Sequence, residues 1–167
     1  MYKTNILLSN YDLINLCAKF KIPLKAIESK DKFNMTPDEG AYIINLEDAD
    51  GKNGGTHWTC LILNKKFVTY FDPFGLSMPK DIKKFISYWD YDHELSIIYS
   101  TDQLQPVISQ FCGWYCLYFL YFNLVLHKDQ MKHKYLLNKH NKIYNLKYKK
   151  LNDKILQQLI INITKNI

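Results

Sequence analysis

The chain has 167 residues, 47% of them hydrophobic, four cysteines and a formal net charge of +6 that comes from lysine alone, since arginine is absent. This length and composition suit one domain with a real core, residues 1–167, and exclude disorder over the whole chain. Four cysteines without a charged-then-apolar leader argue against a secreted disulfide scaffold and for a reducing compartment.

Leu13, Leu16, Cys17 and Phe20 recur at helical spacing after Ser9 and Asn10, which predicts a short amphipathic helix with a polar cap, ended by Pro23. Residues 41–46 read as a strand and 47–55 as a polar, glycine-bearing loop. Two apolar runs follow, 56–63 and 66–72, and Asn64-Lys65 between them predicts a hairpin. Ser77 and Pro79 open a helix whose apolar face is Ile82, Phe85, Ile86 and Trp89, and 95–99 reads as a further strand. Residues 111–126 are apolar on nearly every side. They lie in the uncharged run 104–127, whose dense apolar part is too short to cross a bilayer, so they predict a helix buried at the centre of the domain with no membrane partner. A last helix runs through Leu151, Ile155, Leu159, Ile160 and Ile163. Helices around a small central sheet make the fold class α+β.

Chemistry enters at the hairpin. With Asn64-Lys65 as a two-residue turn, His57 faces Asp72 across the strands on one side of the sheet. A carboxylate there accepts the imidazole N–H and orients the ring for proton transfer. The second element is Gln110-Phe111-Cys112-Gly113-Trp114-Tyr115-Cys116, at the start of the buried helix. Unpaired N–H groups of a first helical turn favour the Cys112 thiolate, and Gly113 leaves space beside the sulfur for a substrate backbone. Gln105, seven residues upstream and next to Pro106, is placed to donate to an oxyanion near Cys112. Each feature alone has a plain structural explanation: a rim ion pair, a packing cysteine, a loop amide. Together they supply nucleophile, base, orienter and oxyanion donor. Cys17, Cys60 and Cys116 read as packing residues, and no metal ligand set is expected.

Gly54-Gly55-Thr56-His57-Trp58, Tyr70-Phe71-Asp72-Pro73-Phe74-Gly75, and Gln105-Pro106 leading to Cys112-Gly113-Trp114-Tyr115-Cys116 closely resemble the adenovirus-type maturation proteases, relatives of the SUMO-specific proteases. The resemblance runs from about residue 8 to 123. It implies Cys112 as nucleophile, His57 as base, Asp72 as orienter and Gln105 as oxyanion donor, with Gly55, Trp58 and Gly113 in substrate binding. The implied fold is papain-like, a central mixed sheet flanked by helices with the nucleophile at the N-terminus of a buried helix. Asp72 stands where the adenovirus enzymes usually carry Glu, and Glu94 where they carry the cysteine that links an activating peptide. The implied function is a cysteine endopeptidase that cleaves viral capsid and core precursors during virion maturation, as a monomer, in the virion and the infected-cell interior, with no cofactor required for chemistry. A deconjugase of ubiquitin-like modifiers and a non-catalytic DNA- or capsid-binding protein are the alternatives.

The charge is asymmetric. Residues 1–127 hold 12 lysines against 14 acidic residues, whereas 128–167 hold 10 lysines against Asp129 and Asp153. This basic helical segment, 127–167, is expected either to solvate a surface or to meet a polyanion. The resemblance adds DNA as a candidate activator, and Lys147, Lys149 and Lys150 are the expected contacts. Lysine without arginine favours phosphate contact, so such binding would ignore base sequence.

Overall fold

Strands from the middle of the chain build a five-stranded mixed sheet in the computed structural model, which describes residues 7–33, 36–52, 57–90, 96–128 and 133–165. The strands are β1 (Leu24–Ser29), β2 (Gly40–Asn45), β3 (Trp58–Asn64), β4 (Phe67–Phe71) and β5 (Ser96–Tyr99), and their spatial order follows the chain. β2, β3 and β4 are antiparallel, whereas β1 runs parallel to β2 and β5 parallel to β4. Both faces of the central strands are covered, so β3 and β4 are buried almost end to end rather than alternating. Helices α1 (Asn10–Lys19), α3 (Cys112–Tyr121) and α5 (Asn152–Lys165) share one core with Ile43, Cys60, Ile62 and Phe71. Helix α2 (Lys80–Asp90) packs its Ile82, Phe85 and Ile86 on the other side, against Tyr42, Leu61 and Tyr70. The α+β expectation is met.

Helix α1 starts where its cap predicts. Ser9 Oγ accepts from the Asp12 N–H while the Asp12 carboxylate accepts from the Ser9 N–H, a reciprocal capping box. Helix α3 is buried from Cys112 to Leu120, as an all-apolar segment demands, and Phe71 stacks on Phe119 with ring centroids 4.3 Å apart. The segment predicted as one helix over 111–126 changes to π geometry over Phe122–Leu126. Asn123 gives the reason: its side-chain amide donates to the Phe119 carbonyl at 2.8 Å, the acceptor that its own N–H would take in an α-helix. None of the described helices is long and apolar enough to cross a membrane.

Two elements were not legible in the sequence. β1 is a half-buried edge strand carrying Lys25 and Glu28, and α4 (His133–Asn141) lies within the lysine-rich segment. Leu151, assigned above to the last helix, instead sits exposed in the 3₁₀ turn Lys149–Leu151, and α5 begins one residue later. The hairpin register also differs from expectation. Asn64 pairs with Phe67, so the turn is Lys65-Lys66 and the ladder is shifted by two residues. Because side chains alternate with period two, a two-residue shift leaves every residue on its expected face.

Candidate active site

The local fold of the hairpin's far end follows from Asp72-Pro73-Phe74-Gly75. Proline fixes the second position of a turn closed by Gly75 N–H donating to the Asp72 carbonyl at 2.8 Å. Gly75 has φ +71°, and a Cβ there would lie 2.7 Å from the Thr101 carbonyl oxygen. The side chain of Asp72 completes the turn: its Oδ1 accepts from the Phe74 N–H at 2.7 Å. The same oxygen accepts from His57 Nε2 at 2.9 Å, with the carboxylate fully buried. The register shift makes this contact diagonal rather than directly across, and it still forms because the face is preserved.

His57 is held in three ways. Asp72 takes its Nε2, Phe74 stacks on its ring with centroids 4.7 Å apart, and Cys112 lies within hydrogen-bonding reach. With Nε2 engaged, Nδ1 is the nitrogen left for the thiol. Burial pushes the ring's pKa down, but the hydrogen bonds with Asp72 and Cys112 and the charges of both outweigh it, raising the value to about 9. A charged imidazole is therefore the resting form at neutral pH.

Cys112 is the buried first residue of α3, at a helix start whose first N–H groups have no partner within the helix. Gly113 sits beside it, but the space it leaves is filled by the chain itself. A Cβ at Gly113 would stand 3.2 Å from Leu8 Cβ and 3.3 Å from Trp58 Cδ1. The expectation of open room beside the sulfur on that side is thus corrected. Trp58 is likewise a core residue, donating its indole N–H to the Leu8 carbonyl at 3.0 Å. Gly55 and Glu94 lie outside the described residues. Cys17, Cys60 and Cys116 are buried and free; Cys116 Sγ contacts the Trp58 carbonyl at 3.3 Å, and burial raises its pKa well above the ordinary thiol value.

Gln105 reaches the site through the Asp72 turn. The Pro73 carbonyl accepts from both Leu104 N–H and Gln105 N–H at 2.9 Å, tying the loop to the residue next to Asp72. The Gln105 side chain is buried and donates from Nε2 to the Ser109 carbonyl at 2.7 Å. Its Oε1 is buried without a partner.

The three lysines meet a different environment from the one expected of a bare basic surface. Together with Val107, Ile108, Leu146 and Tyr148 they line a groove beside the Gln105 loop. Lys149 Nζ donates to Gln103 Oε1 at 3.1 Å, and Lys147 lies over the Tyr148 ring, 5.3 Å from its centroid. Four groups without a chemical signature in the sequence also support the site: Pro73 and Phe74 in the turn after Asp72, and Asn152 and Asp153 of α5. The signal for Asp153 was its sign, an acidic residue in a segment otherwise made of lysine.

A sheet flanked by helices, with a thiol at a buried helix start and an imidazole–carboxylate pair at a hairpin end, has the architecture of a cysteine protease. Two crystal structures of the ASFV pS273R protease, one of them in selenomethionine form, are similar in fold. Each aligns with 91% of this chain and with 68% and 69% of the viral chains, at TM-scores of 0.56 and 0.53 and 14% identity. The family model of the adenovirus endoprotease matches residues 35–166. The chain belongs to the adenovirus endoprotease family and is a cysteine protease.

Proposed function

We propose that the chain is an endopeptidase that cleaves viral capsid or core precursor proteins, with Cys112 as nucleophile, His57 as general acid and base, Asp72 as orienter and Gln105 as oxyanion donor. The observation that carries this reading is the 2.9 Å contact between His57 Nε2 and buried Asp72, with Cys112 interacting with the same ring. The Cys112 thiolate attacks the scissile carbonyl carbon, and the developing oxyanion takes an N–H of Gln105 and a backbone N–H of the α3 start. His57 then gives its proton to the leaving amine as the C–N bond breaks. Water, deprotonated by the now neutral His57, attacks the thioester and releases the acid, and the thiolate and imidazolium are restored. No step calls on a cofactor.

Family membership supports protein substrates of viral origin, and with them action in the virion or the infected cell. Lys147, Lys149 and Lys150 are the proposed contact for a polyanion such as duplex DNA, made through phosphates and without base preference. The test of the substrate reading is a panel of capsid- and core-precursor peptides set against ubiquitin-like conjugates. Cleavage of the former with Cys112-dependent kinetics is expected; turnover of conjugates alone would replace the maturation reading with deconjugation.

A further inference from the structure

The acidic residue that stands alone in the described part of the basic segment is joined to the site by a chain of hydrogen bonds. Asp153 Oδ1 accepts from Ser109 Oγ at 3.0 Å and from Tyr115 OH at 3.0 Å. Ser109 is the residue whose carbonyl holds the Gln105 side chain, and its Oγ also accepts from the Phe111 N–H at 3.2 Å, immediately before Cys112. Tyr115 is a fully buried residue of α3, one turn beyond the nucleophile. A single carboxylate oxygen thus bridges the loop that carries Gln105 and the helix that carries Cys112.

The neighbouring residue grips the same loop on its other side. Asn152, fully buried, donates to the Leu104 carbonyl at 2.8 Å and is fixed in turn by the Asn145 N–H, which donates to its Oδ1 at 2.8 Å. The start of α5 therefore holds residues 104 and 109, which flank Gln105. Pro73 anchors the loop from the hairpin side, so three fixed points surround one side chain.

We propose that Asp153 is a positioning residue: through Ser109 and Tyr115 it sets the distance between the Gln105 amide and the Cys112 sulfur, so that the oxyanion formed at Cys112 meets a donor already in place. This rests on the reading of Gln105 as oxyanion donor. The position of that donor matters steeply, since displacement by about 1 Å costs roughly 10²-fold in rate. The carboxylate acts by accepting two O–H bonds rather than by its charge, so an amide oxygen can replace it.

The experiment compares Asp153→Ala, Asp153→Asn and Ser109→Ala in the full chain on a cleavable peptide, with kcat normalised to the number of active sites titrated by a thiol-reactive inhibitor. Asp153→Ala should lower normalised kcat by about 10- to 100-fold with KM within about threefold, and Asp153→Asn should restore most of it. The same substitution made on Gln105→Ala should cost less than about twofold, because the group it positions is gone. Alkylation of Cys112 by a small haloacetamide, which forms no oxyanion, should proceed at the parental rate in Asp153→Ala. Unchanged normalised kcat, an equal loss in both backgrounds, or a matching fall in alkylation rate would overturn the proposal. If Asp153→Ala does not fold, Ser109→Ala carries the test, because it breaks the same bridge with Asp153 in place. Gln105→Ala alone separates the two readings: full activity in that variant would reject the oxyanion role itself, whatever Asp153 does.

Discussion

Replacing Asp72 with Asn isolates the charge behind His57. The amide keeps Oδ1, which accepts from His57 Nε2 and the Phe74 N–H, and puts its NH₂ where Oδ2 now lies buried without a partner. Hydrogen bonds to Oδ1 survive while the negative charge is lost. His57 stands at about 9 against an ordinary 6.5, a difference equivalent to roughly 3 kcal/mol in favour of the charged ring. Without the Asp72 charge, burial acts against the imidazolium with only Cys112 left to offset it, and the pKa falls from about 9. Leaving-group protonation needs the charged ring, so activity is lost above the His57 pKa. The alkaline limb of kcat/KM for a peptide should therefore move from near pH 9 down by about one to two pH units, with kcat/KM at pH 7.5 reduced by up to about fourfold. Stability follows the same sign. A His whose folded pKa is raised contributes in full below pH 6.5 and loses that contribution as pH rises through about 9, so the Tm gap between parent and variant should be widest at pH 6, shrink from there to pH 9 and be lost above it. An alkaline limb that stays near 9 in Asp72→Asn would refute the assignment of Asp72 as the group that raises His57.

Cys112→Ala should abolish both peptide cleavage and labelling by a thiol-reactive probe, whereas Cys116→Ala should retain cleavage within about tenfold; equal losses would sink the choice of nucleophile. Gly113→Ala drives a methyl against Leu8 and Trp58 at 3.2 and 3.3 Å and should lower stability by about 1–3 kcal/mol in urea unfolding, while an unchanged midpoint would mean that Leu8 yields freely. Electrophoretic retardation of generic duplex DNA should weaken steeply between about 50 and 200 mM salt and diminish in a Lys147/Lys149/Lys150→Ala variant; retention insensitive to both would place the contact elsewhere.

The parts of this molecule that the sequence disclosed are those in which one physical signal acts alone. The apolar run had to be buried, as it is from Cys112 to Leu120, Ser9 had to cap α1, and a period-two pattern had to keep His57 and Asp72 on one face. The hairpin register differs because Asn64-Lys65 and Lys65-Lys66 are comparable turns in sequence, and in the folded chain Asn64 Oδ1 accepts from the Lys66 N–H at 3.1 Å and Glu39 from the Lys65 N–H at 2.9 Å. β1 and α4 escaped because a half-buried edge strand and a lysine-rich helix owe their existence to neighbours rather than to periodicity. Gly113 was read as room for substrate because sequence spacing cannot show that Leu8, more than a hundred residues away, fills that room. Asp153 was counted only as one charge against ten, since its partners Ser109 and Tyr115 lie 44 and 38 positions upstream.

The burial of α3 ties proteolytic competence to the order in which the chain is made. When residue 121 leaves the ribosome, the sheet strands that cover one side of this helix already exist, but the α5 side chains Leu156 and Ile160 that share its core do not. Nor does Asp153, so nothing yet joins Ser109 to Tyr115. Cys112 and Gln105 are thus synthesised some forty residues before the element that brings them into register. On the proposed assignment, a nascent chain carries its nucleophile before its oxyanion site is finished, and proteolytic competence waits for the delivery of α5.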